Sequence, residues 1–358
     1  MTMQPLYIIS ACSITAQDTY NRENFLNPVR SIDDGRLFVI DPDYTKYINP
    51  VAIRRMSRML KRGITAGMRS LDEAGIKTPD GIIVGTSRGS VTDMEIFLHE
   101  LIELDEQALN PAGFIQSTYN SVNGWLAMLS KCTGYNQTYV HRGFTLELCL
   151  FDAMLMLSEA KEKKHLLAGA FDELTPEYFT IRTKINYYKE QLPNSLNLYK
   201  HDDSTGSIGG EGAHFFTVSN DPANATSSLR SLAMLQKPTV AELQAGIDNI
   251  LKENNLDKED IDVLVCGMNG DSRTRSLVDT AINNCSANTT VVNFKHLGGE
   301  YDTASGFGLW LADHLCRTQL IPSEVTCKVG TSASVKNILF CNTTIMGNVS
   351  LMVVTSVN

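Results

Sequence analysis

Side chains with nucleophilic or metal-binding chemistry are spread thinly along this chain. Its eight cysteines, at positions 12, 132, 149, 266, 285, 316, 327 and 341, stand singly with no C-x-x-C pair. That is the usage of buried thiols in a reducing compartment, not of a disulfide framework or a zinc ribbon. The seven histidines do not fall at metal-ligand spacing, so no metal site is expected. Nucleotide chemistry finds no support either. The turn Gly85-Thr86-Ser87-Arg88-Gly89 lacks G-x-G-x-x-G, and no G-x-x-x-x-G-K-[ST] loop occurs, so no cofactor is expected. One group of charges stands out: Arg54, Arg55, Arg58, Lys61 and Arg62, at helical spacing. Such a group is either a solvated helix face or a docking patch for an acidic partner.

The elements that must position any such residues alternate regularly. With 358 residues, 43% hydrophobic and 20% charged, the chain has globular composition and enough length for a large core. A net charge of −9 argues against nucleic acid, which demands a basic face. The apolar run 6–14 has no basic segment before it, and no apolar stretch reaches 18 residues, so neither a signal peptide nor a membrane span is expected and a cytoplasmic location is. A short β-branched strand is expected at 6–10 and a helix over 50–74 closed by Gly75. A strand follows at 81–84, then the glycine-containing turn and a helix from about Thr92. The second half repeats this order, with a helix over 239–254, a strand over 262–266, the turn Gly267-Met268-Asn269-Gly270-Asp271-Ser272-Arg273 and another helix. Repetition of helix, strand, turn and helix indicates duplication and a parallel-rich α/β sheet, with ligands expected at the strand ends. A polar segment at 175–212 lies between the halves as an insertion or cap. Strands at 335–341 and 349–356 close the chain around Gly347-Asn348.

Five stretches in order resemble the β-ketoacyl-acyl-carrier-protein synthases of the thiolase superfamily. Arg54-Arg55-Met56-Ser57-Arg58 through Leu71-Asp72-Glu73-Ala74-Gly75 is similar to that family's R-R-M-D-R … A-L-x-x-A-G segment. Gly134-Tyr135-Asn136 resembles its G-P-N, Leu167-Ala168-Gly169-Ala170 its A-x-A-G-G, and Gly209-Gly210-Glu211-Gly212-Ala213 its G-E-G-A turn. Lys295 falls on the lysine of K-S-x-x-G-H. The resemblance implies a thiolase-like fold of two duplicated α/β halves, residues 1–225 and 226–358, in a layered α/β/α/β/α subunit. It also implies a dimer through a central strand near 137–141.

Family chemistry needs a cysteine at a helix N-terminus and two histidines that stabilise an enolate. Counting from Gly134 puts the cysteine's place at Gly143, and counting back from Gly169 puts it at Phe144. Neither is a nucleophile. Cys149 lies more than a turn further along the helix and reads as a structural thiol. Met268 falls at the first histidine and Glu300 at the second, and neither can donate to an oxyanion when Glu300 is ionised. Thr145 and His296 are the residues that would have to rescue chemistry, His296 otherwise being a surface or supporting residue. His141, Arg142 and Glu147 flank the lost cysteine and suggest a salt bridge or a dimer contact. Lys295 and Glu300 are expected to form a buried ion pair in place of the lost site, and Cys12 to be core.

The leading expectation is a non-catalytic, chain-length-factor-like partner of an active ketosynthase in fatty acid or polyketide biosynthesis, of aryl-polyene or flexirubin type. Tyr119 and Trp125 would line the acyl cavity, and Arg54, Arg55, Arg58, Lys61 and Arg62 would receive an acyl carrier protein. Two alternatives are an unorthodox acyltransferase using Thr145, His296 or Glu300, and an acyl-binding homodimeric scaffold.

Overall fold

The computed structural model describes residues 4–190 and 194–357. Short apolar segments that end in glycine-containing turns become parallel strands, and amphipathic segments become the helices that cover them. In chain order the first half contains β1 (Leu6–Ile14), β2 (Arg36–Leu37), α1 (Pro50–Ile53), α2 (Arg58–Glu73), β3 (Gly81–Thr86), α3 (Val91–Glu103), α4 (Pro111–Ser117), α5 (Ser121–Ser130), β4 (Tyr135–Val140), α6 (Thr145–Glu159), β5 (His165–Asp172), α7 (Pro176–Lys184), β6 (Gly209–Gly210) and β7 (Gly212–Ser219). The second contains β8 (Ser227–Leu235), α8 (Val240–Glu253), β9 (Val263–Gly267), α9 (Arg275–Asn283), β10 (Thr290–Asn293), α10 (Lys295–Gly298), α11 (Ser305–Thr318), β11 (Thr326–Lys328), β12 (Asn337–Thr343) and β13 (Val349–Ser356).

The sheet order is β11-β10-β9-β12-β13-β8-β1-β7-β5-β3-β4, and it contains the same pattern twice. β3 runs parallel to β4 and β5, with β7 antiparallel to β5 and to β1. β9 runs parallel to β10 and β12, with β13 antiparallel to β12 and to β8. The two patterns join where β1 pairs with β8, Leu6 opposite Leu229. α2 and α5 cover the outer face of the first pattern, and α8 and α9 that of the second. Between the patterns lie α6 and α11 in one core cluster. α11 is buried from Ser305 to Cys316, as a helix flanked by sheet on both sides must be. The arrangement is a layered α/β/α/β/α thiolase-like fold.

Several expected elements shift. The 50–74 helix is two helices, because Ser57 turns extended and accepts a bond from Leu60 N, starting α2 afresh. Gln116 holds that break by accepting from Ser57 N and donating to the Arg55 carbonyl. Gly75 takes φ +70°, as a C-terminal glycine does. The first strand runs on to Ile14 because β7 pairs along its length. The helix expected over 239–254 is α8, with Thr239 and Glu242 forming a capping box. The strand expected to be central, β4, is instead an edge strand, bonded among the described residues only to β3. The 175–212 segment, whose residues 191–193 lie outside the described residues, contains α7 and β6 and packs Leu198 and Ile208 against Ala16 and Leu37.

Candidate functional site

The C-terminal ends of β3, β4 and β5 and of β9, β10 and β12 carry the turns where parallel sheets bind ligands. From β4 the chain passes through His141, Arg142 and Gly143 into α6. Gly143 has φ +99°, a conformation that resists a β-carbon. A β-carbon there would also lie 2.9 Å from Asn348 Nδ2. Asn348 is held in place by the turn it closes: its carbonyl accepts from Thr344 N at 2.9 Å, and its own N–H donates to Thr344 Oγ1 at 3.1 Å. Phe144 occupies the N-cap of α6 without a side-chain cap bond, and its ring stacks on His141 at 5.7 Å.

The neighbouring groups on α6 are inward and occupied. Thr145 is fully buried, and its hydroxyl donates to the His141 carbonyl. Its methyl and the sulfur of Cys149 both press on Gly85 of β3. Burial, with the nearby charge of Glu147, pushes the Cys149 thiol well above its ordinary value, so it is no thiolate. Glu147 forms no salt bridge and reaches no surface, contrary to expectation. It is fully buried and accepts from Ser350 Oγ at 2.8 Å, and burial raises its pKa.

On the second half, Lys295 Nζ lies 2.6 Å from Glu300 Oε2 and 2.8 Å from the Thr343 carbonyl, with both side chains wholly buried. Burial raises the Glu300 pKa while the Lys295 charge opposes the rise. Met268 is half-buried, its sulfur 3.9 Å from Asn293 Nδ2. His296 is buried, which corrects the surface assignment. Its Nδ1 meets Tyr199 Oη at 3.0 Å and its Nε2 meets the Glu324 carbonyl at 2.9 Å. Desolvation pushes its pKa down to about 4, so the ring is neutral. It lines a separate cavity of about 280 Å³ with Tyr199, Asn293 and Cys327. Cys12 is core, its thiol raised to about 12 by burial.

Of the expected docking residues, Arg54, Arg55 and Arg58 are exposed and Lys61 is half-buried over the Tyr44 ring. Arg62 is not a surface residue. It is buried, 2.9 Å from Glu211 Oε1 and 2.7 Å from Asp41 Oδ1. Glu211 also accepts from Val39 N and Leu174 N, so the G-E-G-A carboxylate ties α2, the 39–41 segment and the end of β5 together. Tyr119 is 48% exposed. Trp125 lines a surface groove with Leu60, Ile115 and Met128. Neither borders the cleft at Gly143.

That cleft was not foreseen. It has a volume of about 710 Å³, opens above His141 and Asn348, and receives cationic side chains from five separate segments: Arg88, Arg142, Arg182, Lys237 and Arg273. The signal was present in the turns after β3 and β9, whose last charged residues are Arg88 and Arg273. Arg88 and Arg182 lie over the Tyr178 ring at 4.4 and 4.9 Å. In a small adjoining pocket that shares Arg88, Tyr178 and Asp302 with the cleft, burial raises Asp172 to about 6 and Glu173 to about 7. Asp172 accepts from Ser87 N and Oγ, and Glu173 from Thr92 N and Ser90 Oγ.

A family model described as the N-terminal domain of β-ketoacyl synthase matches residues 39–252. A search of the curated proteins finds no match. Among solved structures, the ishigamide ketosynthase/chain length factor aligns with TM-score 0.80 at 16% identity, covering 99% of this chain and 100% of that one. A β-ketoacyl synthase from Burkholderia phymatum STM815 aligns with TM-score 0.79 at 13% identity, again over 99% and 100%. The AntDE:AntF complex, a type II polyketide synthase acyl-carrier protein with its ketosynthase, aligns with TM-score 0.74 at 14% identity over 99% and 100%. Such low identities speak for the fold alone, but the family model spans well over half of the sequence. The chain belongs to the β-ketoacyl synthase family.

Proposed function

We propose that this chain is a non-catalytic, chain-length-factor-like subunit that pairs with an active ketosynthase in polyketide or polyene assembly. One observation carries the reading: at the start of α6, where the family's chemistry needs a thiolate, Gly143 is closed over by Asn348 and Phe144 faces His141. The other groups point the same way. Cys149 is buried with a raised pKa, Thr145 is bonded to a carbonyl, and His296 lies in a different cavity. Glu300, in the place assigned to a histidine, is neutralised by Lys295. No observation favours the unorthodox acyltransferase.

A partner is supported by unpaired surface. β4 leaves one hydrogen-bonding edge free, a feature that monomers normally guard against. Val140 on β4 is exposed, as are Phe114, Ile115, Tyr119 and Met128 in the α4–α5 region, of which α5 packs on β4, and exposed apolar side chains of this kind mark interaction surfaces. In the assembly β4 pairs across a two-fold axis and the α4–α5 region faces the partner's acyl cavity, so that Tyr119 and Trp125 limit chain length. Arg54, Arg55 and Arg58 then serve an acidic acyl carrier protein, with the pair working in the cytoplasm. Co-expression with candidate ketosynthases tests this: a stable one-to-one complex whose product length changes on Trp125→Ala supports it. A chain that remains a homodimer and leaves every ketosynthase's products unaltered contradicts it.

A further inference from the structure

The cavity that His296 lines lies apart from the cleft above α6, between the segment carrying Leu196 and Tyr199 and the edge formed by β10 and β11. Its volume of about 280 Å³ is at the small end of ligand sites, and the role just described makes no use of it. The polar groups of its wall are one-sided, because their side-chain protons are already spent within the protein. His296 is neutral, and the Glu324 carbonyl can only accept, so Nε2 carries the ring proton and donates to that carbonyl at 2.9 Å. His296 Nδ1 then accepts from Tyr199 Oη at 3.0 Å. The Thr326 hydroxyl donates to the Pro322 carbonyl at 2.7 Å.

Acceptors, by contrast, are left over. Asn293 is 1% exposed and lines the cavity, yet its Oδ1 has no hydrogen-bond partner among the described residues. A buried acceptor left unpaired is costly, and a ligand that brings a donor removes the cost. The Thr326 oxygen, its proton given away, presents lone pairs. Glu324 is exposed at the rim, where its carboxylate accepts from Ser323 Oγ at 3.0 Å and, among the described residues, has no cationic partner. It is the one carboxylate of the wall, and no lysine or arginine among the described residues lines it. Val29, Leu196 and Val325 supply the apolar part, with Leu196 40% exposed.

We infer that this cavity binds a small organic cation, a primary ammonium on an apolar body. The ammonium donates to Asn293 Oδ1 with Glu324 supplying the opposite charge, and the body lies on Val29, Leu196 and Val325. An ammonium has three donors and no acceptor, the complement of this wall, whereas a carboxylate or phosphate would bring only further acceptors. The inference goes beyond the partner role and is independent of it, since the cavity shares no lining residue with the start of α6. Cys327, exposed on the same wall, reports on occupancy.

Saturation-transfer NMR of the full chain titrated with phenethylammonium tests the inference, with phenethyl alcohol and phenylpropionate as parallel arms at matched ionic strength. Saturable one-site binding of the ammonium is expected, about fivefold or more tighter than the alcohol, with no binding of the carboxylate. Glu324→Gln should weaken it about fivefold, the loss of one exposed opposite charge. Leu196→Ser should weaken it similarly through lost apolar contact. Both side chains are exposed, so the fold is retained, and circular dichroism verifies that. In iodoacetamide labelling read by peptide mass, bound phenethylammonium should slow alkylation of Cys327 and leave half-buried Cys285 unaffected. Absence of saturable binding overturns the inference. So does the alcohol or the carboxylate binding as tightly as the ammonium, indifference to Glu324→Gln, or an alkylation rate of Cys327 that the ligand leaves unchanged.

Discussion

Lys295 and Glu300 are fully buried and 2.6 Å apart, and each is tolerable there only because of the other. Lys295→Met would strand the buried Glu300 carboxyl and remove the positive charge that also acts on buried Glu147. A loss of about 3–5 kcal/mol in urea unfolding is expected, as for breaking a buried pair. The double change Lys295→Met with Glu300→Leu should recover most of that loss, because a packed apolar pair of similar volume is about neutral. Equal loss in single and double variants would show that the pair is not self-contained. At this scale the sequence was partly informative. The pair and the buried Cys149 could be read from local spacing. Asn348 closing over Gly143 could not, since it depends on a turn brought in by β12 and β13. The burial of Arg62 was hidden for a similar reason: its partner Glu211 lies in another element, and helical spacing alone makes it look like its exposed neighbours.

Among the elements, α3 shows what the end of β5 does. Glu173 accepts from Thr92 N and Oγ1 and from Ser90 Oγ, fastening the first turn of α3, while Asp172 fastens the turn before it. Burial raises Glu173 from 4.5 to about 7. A folded pKa above the unfolded one means that the folded state binds the proton more tightly. That contribution to stability is complete below about pH 4.5 and is lost as pH rises through about 7. Glu173→Gln should therefore flatten the pH dependence. The fall in unfolding free energy between about pH 5 and about pH 8 should be smaller than in the parent by about 1–3 kcal/mol. An unchanged slope would assign the dependence to other groups. Helix positions were legible from apolar periodicity and caps, as Thr239 and Gly75 show. The break at Ser57 was not, because Gln116, from a distant helix, stabilises it.

For the whole molecule, the duplicated order of strands could be read from repeated helix–strand–turn–helix segments, and the layered fold follows from it. The position of β4 could not: its mixed polar and apolar sequence, Tyr135–Val140, does not distinguish a central strand from an edge strand. Val140 is 46% exposed at that edge. On the proposed pairing through β4, Val140→Asp is expected to leave the subunit's thermal midpoint unchanged and to weaken the complex, since it puts an unpaired charge into an apolar seam. Sedimentation velocity at matched concentrations, with the ketosynthase present, reads the result, and an undisturbed complex would place the interface elsewhere.

On the proposed non-catalytic role, this chain holds no acyl group covalently. Intact-mass measurement of the purified chain, incubated with acyl- and malonyl-carrier protein with and without a candidate ketosynthase, tests it most directly. The expected result is an unmodified mass in both cases, with the acyl adduct on the ketosynthase alone and longer products only when both subunits are present. A stable acyl adduct on this chain, mapped to Thr145, Cys149 or any other residue, would contradict it.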